Sequence, residues 1–228
     1  MADTRHRNMI RVFLVDDHEI VRRGLTALLE TSGHLSVVGD AGDYTSAVTL
    51  FTTIADQIDV AVLDIRLPDG SGVELCRELR DIKPELNCLM LTSFADDEAF
   101  DAALTAGAKG YVLKDVRSND LVAAIHKVAT GDSLFDPETV ERARGRMMRR
   151  TKELELIERL SAQELRILQL LTEGLTNREI AEAMFLAEKT VKNYVSNLLA
   201  KLGFQRRTEA ALYGQKHLQQ EHQYRDTT

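Results

Sequence analysis

Ile10-Arg11-Val12-Phe13-Leu14-Val15 is a short, predominantly apolar run that ends on two carboxylates, Asp16 and Asp17. The arrangement returns at Val60-Ala61-Val62-Leu63, which is followed by Asp64. Similar runs stand at Leu35–Val38, Cys88–Leu91 and Gly110–Leu113. Short runs rich in Val, Ile and Leu read as strands of a parallel sheet covered on both faces. Between them, apolar residues recur at helical spacing: Ile20, Val21, Leu25, Leu28 and Leu29, then Ala47, Val48 and Phe51. Val73, Cys76 and Leu79 continue the pattern, and so do Leu121, Ile125 and Val128. Strand and helix alternating five times predict a doubly wound α/β domain over residues 9–130.

In open α/β sheets, ligands bind beyond the carboxyl ends of the strands. With the strands in the order 2-1-3-4-5, the first and third are neighbours. Asp16, Asp17 and Asp64 then converge, and three carboxylates repel one another unless a cation lies between them. Carboxylate and water oxygens suit Mg²⁺. Thr92 closes the fourth run and Lys114 the fifth. A hydroxyl and an ammonium beside a metal-bound carboxylate make a phosphoryl site, with Asp64 as the nucleophile. Each residue also has a plainer explanation. Asp16-Asp17 could cap a helix, Asp64 could open the turn before Pro68-Asp69-Gly70, and Lys114 could be a solvated strand end. The convergence of all five on four strand ends favours the site.

Composition narrows the field. The chain has 228 residues, 44% of them hydrophobic and 29% charged, with 3 Pro and 13 Gly. That is enough apolar material for one large or two modest domains. No apolar run approaches the roughly 18–20 residues of a membrane helix. Met1–Met9 is polar and shows no secretory h-region, so a cytoplasmic protein with no membrane association is expected. Cys76 and Cys88 fit no metal or redox spacing and fall on apolar positions, which reads as small buried hydrophobes. The net charge of −7 hides an asymmetry. Residues 10–130 hold 11 Lys+Arg against 20 Asp+Glu, whereas residues 159–217 hold 9 against 6. An acidic front and a mildly basic back suggest two modules with different partners.

Val15-Asp16-Asp17-His18, Asp64 before Leu67-Pro68-Asp69-Gly70-Ser71-Gly72, Leu91-Thr92-Ser93 and Gly110-Tyr111-Val112-Leu113-Lys114 resemble the receiver domain of bacterial response regulators. The resemblance covers the whole front module and implies a flavodoxin-like fold. It implies that Asp64 accepts a phosphoryl group from a sensor histidine kinase. By the same likeness Asp17 and Asp64 ligate Mg²⁺, Arg66 offers its backbone carbonyl and Asp16 acts through water. Thr92 and Tyr111 are the switch residues and Lys114 steadies the phosphoryl group. Asp115 stands where many receivers have Pro.

Residues 131–158 break the alternation. Arg142, Arg144, Arg146, Arg149 and Arg150 crowd the middle, and a solvated, partly helical linker is expected. From Ser161 onward the pattern is helical. Ser161-Ala162-Gln163-Glu164 and Thr176-Asn177-Arg178-Glu179 are capping-box sequences, and Gly174 and Gly203 end helices. One helix sets Val191, Val195, Leu198 and Leu202 on one face and Lys189, Lys192, Asn193 and Ser196 on another. With the preceding helix and a turn at Phe185-Leu186 it forms a helix-turn-helix pattern. A plain surface helix would carry the same residues, and this helix alone does not decide between the two.

Leu175-Thr176-Asn177-Arg178-Glu179-Ile180-Ala181, Glu188-Lys189-Thr190-Val191-Lys192-Asn193-Tyr194-Val195 and Arg207-Thr208-Glu209-Ala210-Ala211 resemble the LuxR-type DNA-binding domain. Joined to a receiver, this is the pattern of the NarL/FixJ family of response regulators. Met184–Val195 and Glu74-Leu75-Cys76-Arg77 are similar to its actinobacterial dormancy (hypoxia-response) members, which implies a hypoxia or redox-stress role. The family implies an all-α helix-turn-helix domain over residues 159–217 and a polar tail over 218–228. It implies that Lys189, Lys192 and Asn193 contact double-stranded DNA, with Thr176 and Asn177 adding backbone contacts. Thr208, Ala211 and Leu212 would form a homodimer contact, so that paired half-sites are bound. Ala187 stands where the family more often has a capping Ser.

Two alternatives come from other classes. One is a Mg²⁺-dependent phosphohydrolase with Asp64 as nucleophile. Such enzymes place a second acid two residues on, where this chain has Arg66. The other is a receiver-type interaction module indifferent to phosphate. The full acidic set, Thr92 and Lys114 argue against it. The expected protein is a transcription regulator and not an enzyme.

Overall fold

The computed structural model describes residues 9–93 and 96–225. Residues 1–8, 94–95 and 226–228 lie outside the described residues, and with them most of the polar start of the chain and the last residues of the expected tail. The chain divides into two compact units, Met1–Gly145 and Arg146–Thr228.

In the first unit the apolar runs are strands, as expected: β1 (Ile10–Val15), β2 (Leu35–Ala41) and β3 (Val60–Asp64). A two-residue ribbon follows, β4 (Arg66–Leu67) against β5 (Gly70–Ser71), and then β6 (Asn87–Thr92) and β7 (Gly110–Leu113). The helices between them are α1 (Glu19–Thr31), α2 (Tyr44–Ile54), α3 (Gly72–Ile82), α4 (Asp97–Thr105) and α5 (Ser118–Ala129). The large sheet is wholly parallel, in the order β2-β1-β3-β6-β7, which is the expected 2-1-3-4-5 for its five strands.

Strand periodicity divides the core between the two faces. Phe13 and Val15, Ala61 and Leu63, Cys88 and Met90 meet Phe51, Leu79 and Ala103 on one side. Val12 and Leu14, Val60 and Val62, Leu89 and Leu91 meet Leu29, Leu121, Ile125 and Val128 on the other. Every one of these side chains is essentially sealed from water, and each buried large one contributes roughly 1.5–3 kcal/mol. Both cysteines are free and buried in the first cluster.

Strand bounds differ from the expectation in instructive ways. β2 runs on to Ala41: the register with β1 shifts by one residue at Val38, and Gly39 and Asp40, which break the apolar run, still pair with Phe13 and Leu14. Lys114 falls one residue beyond β7, although its N–H still donates to the Thr92 carbonyl at 2.7 Å.

The stretch 131–158, expected as a linker, is largely one helix, α6 (Pro137–Glu158). Arginine is a good helix former, and the charges hide the few apolar contacts that hold the helix. Ala143 is fully buried, and Leu156 and Ile157 pack on the core of the second unit.

The second unit adds α7 (Ala162–Thr172), α8 (Asn177–Met184), α9 (Glu188–Leu202) and α10 (Arg207–Arg225). Both capping boxes form, Ser161 with Glu164 and Thr176 with Glu179. α9 ends at Gly203, whose φ of +73° few other residues tolerate. Ile167, Leu168, Leu171, Ile180, Val191, Val195, Leu198 and Leu202 close the core. α10 runs through Arg225, so residues 218–225 of the expected polar tail have helical backbone. Among the described residues no helix is long and apolar enough to cross a membrane.

Candidate functional site

Parallel pairing in register brings the strand ends together. Val15 pairs with Leu63, Asp64 with Leu91 and Thr92 with Leu113. Asp16, Asp64, Thr92 and Lys114 therefore lie at one edge of the sheet, as expected from the sequence. Asp16 is fully buried, while Asp64 and Thr92 are nearly so. The Lys114 ammonium lies 2.6 Å from Asp16 Oδ2 and 2.6 Å from Asp64 Oδ2. Asp64 Oδ1 accepts from the Arg66 N–H at 3.3 Å. Asp16 Oδ1 accepts from the His18 N–H at 2.9 Å, and the Asp16 carbonyl accepts from Arg22 Nη1 at 2.7 Å.

The alternative of a helix cap fails for the paired aspartates. The N-cap of α1 is His18, and it makes no side-chain cap bond. Nor does Asp64 open a turn: it is the last residue of β3. Gly72 explains how the chain leaves the site. Its N–H donates to the Ile65 carbonyl at 2.9 Å, and a Cβ there would lie 1.8 Å from the Asp64 carbonyl oxygen. Only glycine fits so close to the backbone that carries Asp64.

Asp16, Asp17, His18 and Asp64 each offer a ligand atom within 4.8 Å of the others. His18 is the member that sequence reasoning missed, and its adjacency to the two aspartates was the available signal. Its Nδ1 lies 2.6 Å from Asp17 Oδ1. Three carboxylates against one ammonium leave the cluster negative, so an oxygen-rich site for a hard divalent cation fits these residues.

Burial pushes the Asp64 carboxyl above its ordinary pKa. The hydrogen bond and charge of Lys114 offset this in part, and Asp16 adds to the rise. Burial also works against the Lys114 ammonium, but hydrogen bonds to Asp16 and Asp64 and their charges overcome it and hold Lys114 above its ordinary value. Two carboxylates thus share one cation. Tyr111, half-buried on β7, is raised by burial, while hydrogen bonds from the Asp96 backbone and the Thr92 side chain oppose the shift. Arg66 is exposed in the β4–β5 ribbon. That ribbon is pinned by Asp69, whose carboxylate accepts from the N–H groups of Tyr44 and Thr45 at 2.7 and 3.0 Å.

In the second unit, α9 buries Val191, Val195, Leu198 and Leu202 and exposes Lys189, Lys192, Asn193 and Ser196. Ala187 occupies its N-cap and supplies no side-chain bond. The turn before it places Phe185 in the left-handed region at φ +56° and leaves the ring 96% exposed. The Thr176 hydroxyl is engaged with Glu179 in the cap of α8. Asn177 Oδ1 is buried without a hydrogen-bond partner. On α10, Thr208 is exposed, Ala211 is half-buried and Leu212 is 68% exposed.

Comparison with known proteins agrees with both halves. Residues 12–126 match the response regulator receiver domain, and residues 158–213 match the luxR family of bacterial regulatory proteins. The chain is 51% identical over 205 residues to the DNA-binding transcriptional activator DevR/DosR of Mycobacterium tuberculosis, covering 90% of this chain and 94% of that one. This chain belongs to the LuxR-type response regulators. The regulator is also 38% identical to the response regulator protein VraR of Staphylococcus aureus, over 91% of this chain and 97% of that one.

Among solved structures it is similar to the response regulator ChrA of a heme-sensing two-component system. The identity is 35%, the TM-score 0.51, and the match covers 92% of this chain and 98% of that one. It is also similar to RcsB in complex with DNA, at 29% identity and TM-score 0.51, over 90% and 98%. It is a two-component regulator of transcription that binds DNA, and not an enzyme. The phosphohydrolase alternative is set aside. Receiver domains generally bind Mg²⁺ at this acidic pocket, and a histidine kinase is the partner that such a domain implies.

Proposed function

We propose that this regulator takes a phosphoryl group on Asp64 from a sensor histidine kinase and then binds paired DNA half-sites as a homodimer in the cytoplasm. The observation that carries the reading is the Lys114 ammonium held 2.6 Å from both Asp16 and Asp64, with Thr92 at the next strand end. In the transfer, an Asp64 carboxylate oxygen attacks phosphorus. The P–N bond of the kinase phosphohistidine, protonated on its other ring nitrogen, breaks as a P–O bond forms, and that proton leaves with the ring as neutral imidazole. Asp17, Asp64, the Arg66 backbone carbonyl and Asp16 through water would hold Mg²⁺, which supplies charge neutralisation at the phosphoryl oxygens.

Lys114 then exchanges a carboxylate partner for a phosphoryl oxygen, and the Thr92 hydroxyl donates to another. Drawing Thr92 inward changes what holds the Tyr111 phenol, which is how a local charge becomes a packing change. In the second unit, Asn193 reads a base edge while Lys189 and Lys192 hold phosphates or guanines. Thr176 and Asn177 add backbone contacts from the start of α8. Thr208, Ala211 and Leu212 form the dimer contact, for which the exposed Leu212 supplies apolar surface. We place the receiver at residues 9–130 and the DNA-binding domain at 159–217, joined by 131–158 and followed by 218–228. A hypoxia, dormancy or redox-stress role is supported by resemblance alone.

The test is incubation of the full chain with Mg²⁺ and acetyl phosphate, followed by intact-mass measurement. One phosphoryl group is expected on the protein and none on Asp64→Ala. A chain that takes up no phosphoryl group would instead be an interaction module.

A further inference from the structure

Three aromatic rings stand in line between the switch residues and the start of α6. Tyr111, on β7, meets Phe100 on α4 with ring centroids 5.6 Å apart and planes at 60°. Phe100 in turn meets Phe135 with centroids 5.1 Å apart and planes at 77°. Both contacts are edge-to-face, the arrangement that ring quadrupoles favour and that depends on orientation. At one end, the Tyr111 hydroxyl is hydrogen-bonded with the Thr92 side chain. At the other, Phe135 is two residues before Pro137, the first residue of α6.

The segment that carries Phe135 is fastened to β7, the edge strand of the sheet. The Leu134 N–H donates to the Lys109 carbonyl at 2.8 Å. The Leu134 side chain fills the space above Gly110, where a Cβ would lie 2.6 Å from Leu134 Cδ1. Asp136 then accepts from the Thr139 N–H at 2.9 Å and so caps the first turn of α6. All three rings are half-buried, so they are packed yet have room to turn. Everything in this line belongs to the first unit.

We propose that Phe100 and Phe135 are the positioning residues that pass the state of the Thr92–Tyr111 pair to the first turn of α6. The inference rests on the reading that Asp64 is phosphorylated and supplies the route by which that event leaves the receiver. When Thr92 turns to the phosphoryl group, Tyr111 loses a hydrogen-bond partner and its ring shifts. Phe100 cannot keep its edge-to-face contact unless it follows. Phe135 then moves against a backbone tethered at Leu134, so the displacement is delivered to Asp136 and the helix it caps. Packed contacts of this kind switch between arrangements and do not deform smoothly.

The chain contains no tryptophan, so Phe135→Trp makes a single indole at the end of the line. The full-length variant is treated with Mg²⁺ and acetyl phosphate while indole emission and phosphoryl incorporation are followed together. The expected result is an emission change that tracks incorporation at Asp64. Adding Phe100→Leu, which keeps most of the volume and removes the ring, leaves incorporation unchanged and abolishes the emission change. In DNA retention, Phe100→Leu alone lowers the phosphodonor-dependent gain about fivefold, with basal retention unchanged. Silent emission at full incorporation overturns the inference, and so does a change of full size in the Phe100→Leu background. Absence of incorporation overturns it together with the phosphoryl reading, and the mass measurement separates that failure from the others.

Discussion

The Lys114 ammonium lies 2.6 Å from the Asp64 carboxylate, and the same nitrogen lies 2.6 Å from Asp16. One cation thus serves two carboxylates that are almost wholly withdrawn from water. Removing one partner of a buried pair leaves uncompensated charge and costs about 3–5 kcal/mol. Lys114→Ala is therefore expected to lower unfolding stability by about that amount in the presence of a chelator. Added Mg²⁺ should restore part of the loss, because binding to the native state alone stabilises it. Chemical denaturation with and without Mg²⁺ checks both statements. A variant as stable as the parent would sink the idea that Lys114 holds the cluster together.

Gly72 is the second test of how the site is built. A Cβ at this position would lie 1.8 Å from the Asp64 carbonyl oxygen, a backbone atom that has no alternative rotamer. Gly72→Ala should destabilise the receiver by about 2 kcal/mol or more and slow phosphoryl uptake as the Asp64 backbone is displaced. Gly24, inside α1 with nothing within 4 Å of a new Cβ, is the control. Gly24→Ala should stabilise by about 0.5–1 kcal/mol. Thermal melts of the two variants should move in opposite directions, and acetyl phosphate uptake should slow in Gly72→Ala alone.

The two exposed polar residues at the start of α9 should separate in function. Asn193→Ala is expected to cost about 1–3 kcal/mol of binding to a selected site and to relax preference at one base position. Lys192→Ala, if it holds a phosphate, should weaken binding evenly across sequences and reduce the salt slope by about 1. A selection from random DNA, followed by titration at several salt concentrations, reads both. Unchanged affinity and preference in Asn193→Ala would remove that residue from the interface.

His217 makes stability depend on pH in a defined direction. It is nearly sealed from water on α10, with Nε2 3.1 Å from Glu153 Oε2 and its ring 4.6 Å from that of Tyr213. Burial pushes its pKa down, Glu153 opposes this, and the charges of Lys216 and Arg150 add to the lowering. A depressed value means that the unfolded chain takes up the proton first. The contribution is full above the ordinary value of 6.5 and is lost as pH falls through the folded value. The melting temperature of the parent should therefore fall more steeply than that of His217→Gln as pH drops from about 7.5 to about 5.5. Parallel profiles would show that His217 does not titrate with folding.

What could be read in advance follows from which interactions are local. The strands were legible because Val, Ile and Leu runs covered on both faces leave a continuous apolar signal. The convergence of Asp16, Asp64, Thr92 and Lys114 is legible too, since a parallel sheet delivers strand ends to a common side. The capping boxes at Ser161 and Thr176 are three-residue relationships and were equally visible. The sequence of α6 predicts only a partly helical connector, because its arginines conceal the contacts of Ala143, Leu156 and Ile157. The apolar pattern of β2 stops short of its end because Gly39 and Asp40 break the run. The bonds from Asp69 to the N-terminus of α2 and the line from Tyr111 to Phe135 join residues far apart in the chain. No spacing in a single sequence encodes such pairings.

Control of DNA binding by phosphorylation at Asp64 is read out by retention of random and genomic DNA fragments on the purified chain. Retention is measured with Mg²⁺ before and after acetyl phosphate, with Asp64→Ala alongside. The phosphodonor is expected to sharpen sequence-selective retention, and Asp64→Ala to abolish the gain. Retention that is absent or non-selective in every sample, or a gain that survives Asp64→Ala, would contradict that control.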